Sequence, residues 1–119
     1  MVVDDEPDVR ELERRVLEEA GYDVVSVPDG LEALALVQTR PAIDLLVVDV
    51  NMPEIDGEEL ARRMRRMQPD MKTLFVTGYV DQLFEQRSLW EGEAYLEKPF
   101  TKDGLLEAVS LLLSGHILQ

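Results

Sequence analysis

Five polar residues of this sequence, Asp4, Asp5, Asp49, Thr77 and Lys98, each stand just past the end of a short apolar run. The runs are Val2-Val3, Leu45 to Val48, Leu74 to Val76 and Ala94 to Leu96. Ligands of open parallel sheets bind outside the carboxyl ends of the strands, where the strand order reverses, so parallel strands would gather all five side chains into one site. Three carboxylates crowded there repel, each pair costing roughly 4 kcal/mol at about 4 Å and an effective dielectric near 20, and that repulsion calls for a cation. The sequence has no Cys, and its single His, His116, is remote from these residues. A donor set made of oxygens alone, with room for water and phosphate, suits the hard ion Mg²⁺. Lys98 supplies a second, fixed positive charge. An Asp carboxylate can also act as a covalent nucleophile toward a phosphoryl group, and Asp49, on the most apolar run, is the candidate for that role.

The elements that must position these residues follow from periodicity. Met1 to Val3 forms a short strand, and Pro7 fits the first turn of a helix because its missing N–H is not needed there. Leu12, Val16 and Ala20 recur every four residues with Val9 and Leu17 beside them, which predicts an amphipathic helix with Leu12 facing inward and Arg10, Glu11, Arg14 and Glu18 outward, ended by Gly21. Val24, Val25 and Val27 mark a second strand, and Asp29 with Glu32 has capping-box spacing for a helix that stops before Pro41. Leu45 to Val48 is apolar without alternation, as a strand buried on both faces is. A turn through Asp56-Gly57, where Gly57 can take a positive φ, leads to a third helix marked by Leu60, Met64 and Met67 and closed by Pro69. Strand four is Leu74 to Val76, a weaker fourth helix runs from Asp81 to Ser88, strand five is Ala94 to Leu96, and a last helix carries Leu105, Leu106, Val109, Leu112 and Leu113. Strands alternating with helices predict an α/β fold, a doubly wound parallel sheet of five strands with helices on both faces.

Composition narrows the function. The 119 residues carry 12 Lys and Arg against 25 Asp and Glu, a net charge of −13 that repels phosphate backbones and anionic lipid, so direct nucleic-acid binding is not expected. Without Cys there is no disulfide or thiolate chemistry, and no apolar run approaches the length of a membrane span; a cytoplasmic domain with no membrane insertion fits best. The length suits one domain covering residues 1–119.

Together these residues resemble the receiver domain of two-component response regulators along essentially the whole chain. The acidic pair Asp4-Asp5, the segment Leu46 to Pro53 around Asp49, the Asp56-Gly57 turn, Thr77-Gly78 and Lys98-Pro99-Phe100 follow the family pattern in order. The resemblance implies a flavodoxin-like strand order 2-1-3-4-5. It implies Mg²⁺-dependent transfer of a phosphoryl group from the phosphohistidine of a sensor histidine kinase or a phosphotransfer domain to Asp49. Asp5, Asp49 and the backbone carbonyl of Asn51 would hold the metal, with Asp4 binding it directly or through water. Thr77 and Lys98 would contact phosphoryl oxygens, the Lys98-Pro99 peptide would be cis, and Tyr95 would be the switch aromatic. Asn51 and Tyr79 would tune hydrolysis of the aspartyl phosphate, while Gly78 leaves open space for the phosphoryl group. The fourth helix, fifth strand and fifth helix would form the surface that meets a downstream output domain or protein, or a second copy in a homodimer. Such a domain takes up and loses its own phosphoryl group and is not expected to turn over a substrate.

The stretch Gly78 to Gly92, with Arg87, Leu89 and Trp90, and the segment Tyr95 to Phe100 are similar to receivers attached to hybrid sensor kinases. Only Met1 to Val3 precede Asp4, where the family has a longer first strand, which implies a trimmed start or a domain cut from a larger protein. Blander readings stand beside these. The acidic pair could be a solvated helix N-terminus, Thr77 and Lys98 ordinary surface residues, Tyr95, Trp90 and Met71 packing residues, and His116 an exposed tail residue. Arg62, Arg63, Arg65 and Arg66 read as the solvated face of helix three, or a basic patch for an acidic partner. Two rival functions remain at this point. One is a receiver-like module that signals by binding alone. The other is an aspartyl phosphatase of the haloacid dehalogenase type, which needs a second Asp two residues after the nucleophile, where this chain has Asn51.

Overall fold

The computed structural model describes residues 1–39, 42–78 and 92–114. The predicted helix from Asp81 to Ser88, Tyr79, Arg87, Leu89, Trp90 and His116 lie outside these residues. In chain order the elements are β1 (Val2–Val3), α1 (Pro7–Glu19), β2 (Ser26–Val27), α2 (Gly30–Val37), β3 (Leu45–Asp49), α3 (Gly57–Met67), β4 (Lys72–Thr77), β5 (Glu93–Glu97) and a last described helix, Lys102–Ser114. The five strands form one sheet of order β2-β1-β3-β4-β5 with every pairing parallel, as expected.

Each face of the sheet carries its own core. Val3, Leu46, Val48 and Phe75 point to the side covered by α2 and α3, where Ala33, Val37, Leu60, Ala61 and Met64 meet them. Val2, Leu45, Val47, Leu74 and Val76 point to the other side, against Val16 and Leu17 of α1 and Leu105 and Val109 of the last helix. β3 is buried at every position, which accounts for its unbroken apolar run. The caps follow the sequence: Asp29 accepts from the Glu32 N–H at 2.9 Å, and Asp56 accepts from the Glu59 N–H at 2.8 Å. Among the described residues no helix is long and apolar enough to cross a membrane.

Three expectations are corrected. Leu12 is not inward-facing: it is 48% exposed, and its neighbour Glu13 takes the core-facing place at 1% exposure. A register based on apolar residues alone placed Leu12 on the buried stripe, because a buried carboxyl carries the opposite signal. Arg10 is also not simply a solvated residue, since its Nη1 donates to the Asp4 carbonyl at 2.8 Å. Gly57, likewise, does not supply the positive φ of its loop. Glu54 does, at 67°. Gly57 is needed for closeness: a Cβ there would overlap the Asp49 carbonyl oxygen and come within 2.9 Å of the Val50 Cα. Its N–H donates to the Val50 carbonyl at 2.9 Å, closing the loop after β3.

Burial, and then the nearby Asp4 carboxylate, push the Glu13 carboxyl up from 4.5 to about 8. Below the lower value both folded and unfolded chains hold the proton; between the two values only the folded chain does, so this residue makes stability fall as pH rises through that window. Replacing Glu13 with Leu should therefore raise stability at pH 8 by roughly 2–4 kcal/mol while changing it much less near pH 4.5, as read from urea unfolding in EDTA. Equal gains at both pH values would contradict the buried-acid account. Gly57→Ala should cost about 2–3 kcal/mol in the same assay, because the contact it creates is with backbone that cannot swing aside.

Candidate functional site

The topology turns scattered residues into one site. The chain leaves β1 to form β2 on one side and returns to form β3 on the other, so the order reverses between β1 and β3, and the crevice at their carboxyl ends is where Asp4, Asp5 and Asp49 stand. Each segment leaves the sheet through one further ladder bond. Asp4 N donates to the Val27 carbonyl at 3.3 Å, Val50 N to the Val76 carbonyl at 3.1 Å, and Lys98 N to the Thr77 carbonyl at 2.9 Å. These bonds fix the backbone beside every functional side chain.

One carboxylate oxygen from each of Asp4, Asp5 and Asp49 lies within 4.8 Å of the other two. Asp4 and Asp49 are buried and Asp5 is exposed, so the cluster has a closed floor and an open mouth. Asp4 Oδ1 accepts from the Glu6 N–H at 2.9 Å, and its Oδ2 is buried without a hydrogen-bond partner. Asp49, 5% exposed, accepts from the Asn51 N–H at 3.1 Å on Oδ1 and from Lys98 Nζ at 3.2 Å on Oδ2. Lys98 Nζ also lies 3.3 Å from Glu6 Oε1 and 3.9 Å from Asp4 Oδ2.

The titration behaviour follows from this crowding. Burial, above all, pushes Asp4 up from 3.8 to about 6, against the Glu6 N–H and Lys98, which favour its charge. Burial likewise raises Asp49, opposed by the Asn51 N–H and by Lys98. For Lys98, partial burial works against the charge, but Asp4 and Asp49 outweigh it and the ammonium is held above its ordinary range.

Thr77 ends β4, is buried, and abuts Lys98 through the backbone bond already given. Tyr95 pairs in register with Phe75, two residues before Thr77, so Tyr95, Phe75 and Thr77 share one face of the sheet. The Tyr95 ring is half-buried and lies 5.6 Å from the Phe75 ring, tilted by 47°. The Lys98-Pro99 peptide is cis, as the resemblance implies. Nothing stands within 4 Å of the space a Cβ would take at Gly78, so the approach over β4 is open. Sequence reasoning thus brought Asp4, Asp5, Asp49, Thr77 and Lys98 to one edge correctly, and missed Glu6 and Arg10. Glu6 follows the acidic pair directly, a signal that was readable; the six-residue reach of Arg10 to the Asp4 carbonyl left none.

A buried oxygen without a partner, a donor set of carboxylates, and spacings only slightly wider than the separations of about 3–4 Å between ligands of an octahedral Mg²⁺ fit a hard divalent cation. Comparison with known proteins agrees with this chemistry. The family model of the response regulator receiver domain matches residues 1–110. The response regulator receiver protein CpdR of Brucella abortus is 35% identical over 95% of this chain and 94% of its own length. The sensor kinase CckA of the same organism is 36% identical over 95% of this chain, which spans only 12% of that protein. The crystal structure of the response regulator protein TrrA from Thermotoga maritima, in complex with Mg(2+)-BeF, superposes with a TM-score of 0.82 at 38% identity, covering 94% of this chain and 96% of that one. With its strand order, its edge of carboxylates and its opposing lysine, the chain belongs to the response regulator receiver family, the phosphoryl-accepting switches of two-component signalling.

Proposed function

We propose that Asp49 is the residue that accepts the phosphoryl group. The observation that carries this reading is the Asp49 carboxylate itself: buried at the end of the central strand, bonded on one oxygen to the Asn51 N–H, and placed on the other 3.2 Å from Lys98 Nζ. In the step, an Asp49 oxygen attacks phosphorus, the P–O bond forms as the P–N bond to the donor imidazole breaks, and the imidazole leaves neutral with its ring proton. Hydrolysis later returns the carboxylate and inorganic phosphate. Asp4, Asp5, Asp49 and the Asn51 carbonyl would hold Mg²⁺, which when bound offsets the negative charge gathered between the carboxylates and the phosphoryl oxygens. A Mg²⁺ complex is what TrrA carries in its own structure.

Lys98 neutralises one phosphoryl oxygen and the Thr77 hydroxyl donates to another. The shared face of Thr77, Phe75 and Tyr95 then provides a route by which a shift of Thr77 reaches β5, so Tyr95 acts as the switch residue. Asn51 at the rim, with Tyr79, tunes the lifetime of the phosphoryl group. The whole chain works as one receiver domain in the cytoplasm, without direct nucleic-acid contact or membrane insertion. It takes its phosphoryl group from a sensor histidine kinase or phosphotransfer domain and presents β5 and the last helix, with the stretch before them, to an output domain or to a second copy of itself.

Intact mass after incubation with Mg²⁺ and acetyl phosphate tests the assignment. The wild type should gain one phosphoryl group, and Asp49→Asn and an EDTA control should gain none; an unchanged adduct on Asp49→Asn would remove Asp49 from the role. An unmodified wild type would favour a module that signals by binding alone. Asp5→Asn should weaken Mg²⁺ binding at least tenfold in a titration followed by calorimetry, since it removes one of three carboxylate charges.

A further inference from the structure

Glu6 reaches into the site, yet no role in the chemistry above requires it. It stands at the N-cap of α1, but its side chain makes no cap hydrogen bond. Its Oε1 instead accepts from Lys98 Nζ at 3.3 Å, while its backbone N–H holds Asp4 Oδ1 at 2.9 Å. The Lys98 ammonium is therefore shared between Glu6 on one side and Asp49 on the other, at nearly equal distances of 3.3 and 3.2 Å. An ammonium has three protons to give, and a phosphoryl group on Asp49 adds oxygens that compete for the same protons with greater charge. The Glu6 side chain is 61% exposed, so its hold on Lys98 is that of a surface ion pair, weak and readily broken.

We propose that Glu6 is a positioning residue: it catches the Lys98 ammonium while Asp49 is unmodified and gives it up when the phosphoryl group arrives. The proposal rests on Asp49 as acceptor and Lys98 as its phosphoryl partner. Glu6 then acts on the rate of phosphorylation through Lys98 and not by repelling the donor, and the two routes separate when Lys98 is removed.

The test follows the growth of the phosphorylated mass with acetyl phosphate and saturating Mg²⁺ in the wild type, Glu6→Gln, Lys98→Ala and the double variant. Glu6→Gln should raise the rate constant about 1.5- to 5-fold at low ionic strength, the span of an exposed ion pair, and the gain should fade near 0.5 M KCl. In the Lys98→Ala background the same change should give no gain. An equal gain there would overturn the proposal in favour of donor repulsion, and no gain with Lys98 present would overturn it outright. A second measurement needs no phosphoryl transfer: urea unfolding in EDTA of the same four proteins should show non-additive effects of the two substitutions, and strict additivity would show that the pair does not interact. A wild type that stays unmodified while this cycle is non-additive would count against Asp49 as acceptor and leave the Glu6 catch standing.

Discussion

Bringing three carboxylates to within 4.8 Å of one another is the constraint around which this fold is arranged. The chain is strongly acidic already, with a net charge of −13, so relief has to come from particular groups placed at the site. Lys98 is one of them, and it comes from beyond β5, two strands away from β3. Neighbouring strands lie about 4.8 Å apart, so the ammonium must pass roughly 10 Å across the end of β4 to meet Asp49. That passage explains the residues ending β4: Thr77 is small, and around Gly78 the space is open. The cation is remote in sequence and reaches Asp49 and Glu6 together only through the fold.

The loop after β3 has the opposite character, because it has to be tight. Val50 keeps a ladder bond to Val76, and the Gly57 N–H closes back on the Val50 carbonyl. The backbone of Gly57 lies so close to Asp49 and Val50 that no side chain fits, and Glu54 adopts a left-handed conformation to make the turn. Ile55 then packs beside Gly30 at the start of α2, tying the loop to the next layer. Backbone held in a sparsely populated conformation persists only where its surroundings overdetermine it, and here both ends of the loop are fixed by hydrogen bonds while the buried Met52 and Ile55 anchor it on either side of the exposed Glu54. The tight loop thus holds the Asp49 carboxylate in place, while the ammonium facing it arrives on the Lys98 side chain from beyond β5.

Much of this was legible in the sequence, for a definite reason. Apolar runs and their ends are direct records of burial, so the five strands, their parallel arrangement and the polar residues at their carboxyl edge could all be read together. The strand bounds shifted by a residue or two: β4 starts at Lys72 instead of Leu74, because ladder bonds extend through residues whose side chains carry no apolar signal, whereas β2 is confined to Ser26–Val27, the residues that pair with the two of β1. The interactions that stayed hidden are polar and run between segments. Glu6 to Lys98 spans 92 residues, and Arg65 of α3 pairs with the buried Glu93 at the start of β5. Neither leaves a periodic trace.

Glu13 shows why the remaining gap is physical. Helix α1 offers Leu12 and Glu13 as adjacent positions about 100° apart, and a hydrophobicity pattern can only choose the leucine. The fold chooses the carboxyl, buries it, and leaves the leucine half in water. What makes this tolerable is a proton. At neutral pH a group whose carboxyl is raised to about 8 is largely uncharged, and it then costs the core far less than an ion would. The same acidic site that raises Glu13 through Asp4 also favours that proton, so crowding at the sheet edge is felt one layer down. Charge state depends on neighbours assembled only by the fold, and a sequence pattern that assigns each residue one fixed polarity cannot express it.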